Sequence, residues 1–177
     1  MPIGAMITRD WIWRKAYGNL DKFLLHTSTF GGNTRACAAG IAALRLLLKS
    51  DWIENAARMG EKLLAGLELL KSKFSILKDV RGKGLMIGLS LARFKGNSPL
   101  IEGALSLYIV RHLLKRHRII TSFTLNNLDV LRMAPPLFIG QSEVDKILNG
   151  LEDALASAQK FNRFRWVSDT ALSRTRS

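Results

Sequence analysis

Two stretches of the chain carry apolar residues at helical spacing. Thr34 to Lys49 is dominated by Ala and Leu, the strongest helix formers. From Asp51 to Lys73 the residues Trp52, Ala56, Met59, Leu63, Leu67 and Leu70 recur every three or four positions, one stripe facing a partner, with Asp51 and Glu54 spaced as a capping box at its start. Ahead of these, Ile3 to Ile7 reads as a strand end, and Arg9 to Tyr17 as a short helix stopped by Gly18-Asn19. The turn-rich Thr29-Phe30-Gly31-Gly32-Asn33 is a loop. Near Asp79 the period changes to two: Leu85, Ile87, Leu89 and Leu91 alternate with Met86, Gly88 and Ser90, a core strand beginning at Gly84. Ser98-Pro99 opens a helix to about Lys115, because proline at the first helical position sacrifices no partnered N–H. Ile119 to Phe123 and Val130 to Met133 read as strands, the second ended by Pro135-Pro136. Ser142 with Asp145 opens a last helix whose Val144, Leu148, Leu151 and Leu155 share a face. The elements after residue 76 therefore predict a small α+β layer with helices on one side of a sheet. A lone strand at Ile3–Ile7 has nothing to satisfy its backbone groups, so further chain upstream is expected to complete it.

Composition narrows the class. At 177 residues, 47% hydrophobic and 23% charged, the chain is in the range of an ordinary globular domain. Arg45, Lys49, Gly66, Gly88 and Arg111 break every apolar run before the ~18 residues a membrane span needs, so no membrane partner is expected. The first residues lack a basic cluster and an apolar core, which predicts no secretory signal and makes the cytoplasm the expected compartment. The single cysteine, Cys37, forms no disulfide within the chain. Charge is the one unusual feature: 27 Lys and Arg against 14 Asp and Glu give +13. Such a field attracts nucleic acid, anionic membrane and phosphorylated or carboxylated small molecules alike. The basic residues gather at Arg111, Lys115, Arg116 and Arg118 and in a tail over 159–177, read as a disordered end. With no nucleic-acid motif and no aromatic stacking platform, nucleic acid is not an expected partner.

Candidate chemistry is sparse. His26, His112, His117 and Cys37 have no metal-site spacing, and His112 and His117, five apart on a basic helix, read as a solvated face. No nucleophile elbow is present. The stretch His26-Thr27-Ser28-Thr29-Phe30-Gly31-Gly32-Asn33 sets hydroxyls and a glycine turn before a helix start. It suits a phosphate group, although an Asn-capped helix behind a plain turn is the commoner reading of such residues. Arg132, at the end of a strand and before two prolines, suits bidentate binding of a carboxylate, or a structural ion pair.

Four ordered motifs add to this: Met1-Pro2-Ile3-Gly4-Ala5, the His26–Asn33 stretch, Val80-Arg81-Gly82-Lys83-Gly84-Leu85, and Leu131-Arg132-Met133-Ala134-Pro135-Pro136-Leu137. Together they resemble the C-terminal part of class III pyridoxal-phosphate aminotransferases from Met1 to about Ala158. The wording of the second motif and Thr124-Leu125-Asn126-Asn127 look most like putrescine (diamine) aminotransferases, with the ornithine and acetylornithine enzymes next. The resemblance implies an α/β fold of fold type I: the end of the large, cofactor-binding domain over 1–75 and a small C-terminal α+β domain over 76–158. It implies a homodimer in which Thr29, with Ser28 beside it, reaches the phosphate of the neighbouring subunit's pyridoxal phosphate. It also implies that Arg132 binds the α-carboxylate of glutamate or 2-oxoglutarate, the partners of an amine donor. The Arg81-Gly82-Lys83-Gly84 motif is read as architectural, a turn entering the sheet.

The family's Schiff-base lysine lies a few residues before the segment matching Met1-Pro2-Ile3-Gly4, and Lys15 and Lys22 stand in the wrong motif to replace it, so the chain is expected to hold no catalytic residue. Alone it is expected to be inactive and to expose the apolar faces of its long helices. Thr34 also stands where the family commonly has proline. The competing expectations are an inactive remnant or partner-binding module, an ornithine-type aminotransferase, and a basic nucleic-acid binder.

Overall fold

A computed structural model describes residues 2–22, 24–25, 27–92 and 103–160. The chain divides into two units, Met1–Asp51 and Trp52–Ser177. His26, the helix start expected at Ser98-Pro99 and the tail beyond Lys160 lie outside the described residues.

In the first unit Pro2 to Arg9 forms no regular element, so the strand expected at Ile3–Ile7 is not made. No second strand of this unit lies beside it among the described residues, and an unpaired strand leaves its N–H and C=O groups unmet. Helix α1, Asp10–Tyr17, ends where Gly18 donates its N–H to the Arg14 carbonyl at 2.9 Å. Helix α2, Thr34–Lys49, is capped by Asn33, whose Oδ1 accepts from the Ala36 N–H at 3.1 Å. Ala36 is the one buried residue among those described in this unit, while Ile7, Trp11, Leu44 and Leu48 are exposed.

The second unit is built on an antiparallel sheet. Helix α3, Trp52–Lys73, leads to strands β1, Leu77–Lys83, and β2, Met86–Leu91. Helix α4, Ala104–His112, continues into a π-helical turn, Leu113–His117. Strands β3, Ser122–Phe123, and β4, Val130–Met133, precede helix α5, Gln141–Lys160. The sheet order is β1-β2-β4-β3 with every neighbouring pair antiparallel. The Arg81-Gly82-Lys83-Gly84 motif was expected to be a turn entering the sheet, yet Arg81 to Lys83 are the end of strand β1 and pair with Gly88 to Met86. The turn proper is only Gly84-Leu85, with Gly84 at φ +55° in the first position of a two-residue hairpin loop.

Helices α3, α4 and α5 cover one face of this sheet. Val80, Ile87, Leu89, Leu131 and Met133 from the strands meet Leu63, Leu67, Ile109, Leu113, Val144, Leu151 and Leu155 from the helices in one core. The predicted stripe of α3 is the buried one from Ala56 to Leu70, and Val144, Leu151 and Leu155 of α5 are buried as expected. Gly60 of α3 lies against the hairpin turn so closely that an added Cβ would overlap the Gly84 carbonyl. Helix α5 begins two residues earlier than a cap at Ser142 would set it. Glu143 at its third position reaches back so that its Oε2 accepts from the Gly140 N–H at 2.9 Å, with Ser142 Oγ donating to the same oxygen at 3.0 Å. Among the described residues no helix is long and apolar enough to cross a membrane.

Two outcomes follow from this packing. Gly60→Ala should destabilise the chain by about 1–3 kcal/mol, since helix or hairpin must retreat, and thermal unfolding measures it; an unchanged midpoint would show that the contact yields freely. The bond from Gly140, then that from Ser142, holds the Glu143 carboxyl below its ordinary value. A depressed folded-state pKa stabilises above the unfolded value, about 4.3, and is lost as pH falls through the folded one. Glu143→Gln should therefore lower the melting temperature at neutral pH, with the gap closing in acid.

Candidate cofactor and substrate site

The loop before α2 is shaped by two backbone turns. Gly31 donates its N–H to the Ser28 carbonyl at 3.1 Å, and Asn33 to that of Phe30 at 3.2 Å. Gly32 sits at φ +70°, a conformation natural to glycine. Ser28 and Thr29 are exposed, and among the described residues neither hydroxyl has a partner. A Cβ at Gly31 would stand 3.3 Å from Ser28 Oγ, so the glycine keeps room beside that hydroxyl. Asn33 satisfies the Ala36 N–H, while the N–H groups of Thr34 and Arg35, at the start of the helix, have no partner within it. Hydroxyls, open N–H groups and the positive end of a helix make a donor set of the kind a phosphate ester accepts.

Arg132 belongs to the second unit and projects from the face of the sheet opposite α3, α4 and α5. Its neighbours in β4, Leu131 and Met133, are buried, and the alternation of a strand turns Arg132 outward, where it is exposed. Across the sheet it stands in a row with Arg81, Gly88 and Ser122. Gly88 has no side chain to fill the space between the two arginines. Arg81 is engaged by Asp79 Oδ2 at 2.7 Å and Ser90 Oγ at 2.6 Å. Arg132 has a long contact from Nη2 to Ser122 Oγ, at 3.5 Å. The loop after β4 is pinned from α3: Asn55 Nδ2 donates to the carbonyls of Leu137 at 2.8 Å and Ile139 at 3.0 Å, and Trp52 packs on Phe138 at 5.7 Å between ring centres. No sequence signal marked Asn55, since its partners are backbone groups more than 80 residues away.

A third cluster lies between the π turn and α5. His112 and His117 both donate Nε2–H to Asp153 Oδ2, at 2.7 and 2.8 Å, and their rings stack with centres 5.9 Å apart. The bond from His112, then that from His117, holds the Asp153 carboxyl below its ordinary value. A five-residue spacing on an α-helix separates two side chains by about 140°, which is why the spacing alone suggests no pair. The wider π turn brings them to one side.

The profile for aminotransferase class-III matches residues 1–155. The chain belongs to this family. The acetylornithine aminotransferase of Caldanaerobacter subterraneus subsp. tengcongensis is 36% identical over 159 residues, which are 88% of this chain and 35% of the relative. Among solved structures, a Bacillus anthracis aminotransferase superposes with a TM-score of 0.64 at 27% identity, covering 84% of this chain and 34% of that one. A PLP-bound amine transaminase from an uncultivated Pseudomonas species gives 0.63 at 28% identity, covering 79% and 31%. The chain thus spans about a third of the length of these relatives. Class III aminotransferases depend on pyridoxal phosphate, and the mixed α/β architecture of this chain is that of such transaminases.

Proposed function

We propose that this chain is the C-terminal part of an aminotransferase that moves an amino group from a diamine or ω-amino acid to 2-oxoglutarate. The donor we favour is a diamine such as putrescine. The 36% identity to an enzyme named for acetylornithine makes an ornithine-type amine the second choice. The observation that carries the reading is Arg132, turned out of the sheet by strand alternation and beside the gap at Gly88, in a strand whose following loop is pinned by Asn55. A planar guanidinium held at that position takes a carboxylate through two parallel N–H···O bonds, fixing both place and orientation.

The loop of Ser28 and Thr29 fits the phosphate of pyridoxal phosphate, and its exposure suits a group presented by a neighbouring subunit of a homodimer. Thr29 would donate its hydroxyl to a phosphate oxygen, with Ser28 beside it, and the positive end of α2 would add to the hold. When bound, pyridoxal phosphate supplies the electron sink for breaking a C–H bond next to nitrogen. The lysine that anchors it in the family is expected outside these 177 residues, so this chain contributes binding and orientation and leaves the proton transfer to the rest of the assembly. The cytoplasm is the compartment we expect for such an enzyme.

Two substitutions in the assembled enzyme separate these roles. Thr29→Ala should weaken pyridoxal phosphate retention by about tenfold, the worth of one charge-assisted bond, as read by cofactor loss on dialysis; unchanged retention would remove Thr29 from the phosphate site. Arg132→Lys should raise the KM for 2-oxoglutarate by about tenfold or more and leave that for the amine within about twofold, because lysine cannot reproduce the bidentate fork. Equal effects on both would give Arg132 a structural role instead.

A further inference from the structure

We propose that His112, His117 and Asp153 form a binding site for one borderline divalent transition-metal ion, Zn2+ above all, which clips the π turn to α5. The three ligand atoms, two imidazole nitrogens and one carboxylate oxygen, all lie within 4.8 Å of one another. Tetrahedral Zn2+ holds such ligands at about 2.0–2.2 Å, so they stand about 3.3 Å apart around it. To admit the ion, the two N···O distances, 2.7 and 2.8 Å, open by about half an ångström, and the two imidazole nitrogens, within 4.8 Å of one another, draw together. Each ring must carry its proton on Nδ1 when the Nε2 lone pair takes the metal: a neutral ring moves its Nε2 proton to Nδ1 through solvent, and an imidazolium releases one proton to it.

The local backbone supports the arrangement. Leu113, at the head of the π turn, is buried, and the Arg118 N–H that closes the turn returns to the Leu113 carbonyl. Extra residues inserted into a helix in this way recur at functional sites. Across from it Gly150 of α5 leaves room for His117, whose Cγ would be 3.2 Å from a Cβ placed there. The side chains of His112 and His117 are 11% and 26% exposed and that of Asp153 53%, so the ion has a path in and a coordination position remains for water. Arg111, Lys115, Arg116 and Arg118 share the segment, so directed bonds rather than a negative field must hold the ion. That selects Zn2+ and its imidazole-binding neighbours over Mg2+ or Ca2+, which require several oxygen ligands.

Calorimetric titration of the tag-free full chain with Zn2+, and the visible spectrum of the Co2+ form, test the site. The expected result is one ion per chain, a tetrahedral Co2+ spectrum and no heat from Mg2+. His117→Gln and Asp153→Asn should each weaken Zn2+ binding by at least about tenfold. Asp153 is half exposed, so its Asn variant keeps the fold and the test stays decisive if the histidine variant does not. Zn2+ binding that survives both variants would place the ion elsewhere, at His26 or Cys37, and overturn the proposal, as would no binding at about millimolar Zn2+. Neither arm depends on aminotransferase activity, so the site stands or falls apart from the reading of Thr29 and Arg132.

Discussion

Burial on one side of the antiparallel sheet governs the second unit. Every strand contributes apolar side chains to the face under α3, α4 and α5, and period-two alternation sends the intervening residues to the other face. Arg81, Arg132 and Ser122 are there for that reason, and so is the gap at Gly88. A register slip of one residue in β4 would bury the Arg132 guanidinium and expose Leu131, a cost comparable with the stability of a domain of this size. The same constraint that makes the core therefore aims the carboxylate-binding candidate, with no separate device needed to orient it.

The helices were the most legible elements, because the α3 and α5 stripes record burial directly. Strand β2 was legible for the same reason, its Ile and Leu positions alternating in plain view, and β4 from its apolar run ended by two prolines. Strand β1 was not: Lys78, Asp79, Arg81 and Lys83 give it a polar composition, a bulge between Leu77 and Asp79 breaks its alternation, and two glycines suggest a turn. Its membership in the sheet comes from pairing with β2, a non-local term that no window of sequence contains. The Ile3–Ile7 segment erred in the opposite direction, since apolar composition without a paired neighbour does not make a strand.

The site candidates divide along the same line. Ser28, Thr29 and Arg132 were identifiable from motifs, and the geometry adds what a motif lacks: unengaged hydroxyls in one case, and outward aim with a pinned following loop in the other. Asn55 was invisible because a clamp on main-chain carbonyls leaves no pattern in residue types. In the first unit the apolar positions of α1 and α2 are on the surface, with Ala36 alone buried, whereas the second unit encloses more than twenty apolar residues in one core. Sequence periodicity gives the direction of an apolar face without naming what covers it.

The pairing of His112 with His117 shows how a local backbone choice can change the chemistry of an unremarkable spacing. In a regular α-helix the two imidazoles would diverge and the basic segment would be a solvated face. The π turn is closed by the bond from Arg118, at φ 55°, to Leu113, and that left-handed cap costs a non-glycine residue about 1 kcal/mol. Burial of Leu113 together with partial burial of Ile119 offsets it, since the extra residue lets both reach the core, and the two histidines are carried against α5 as a consequence. Packing thus sets the backbone, and the backbone sets which side chains meet Asp153.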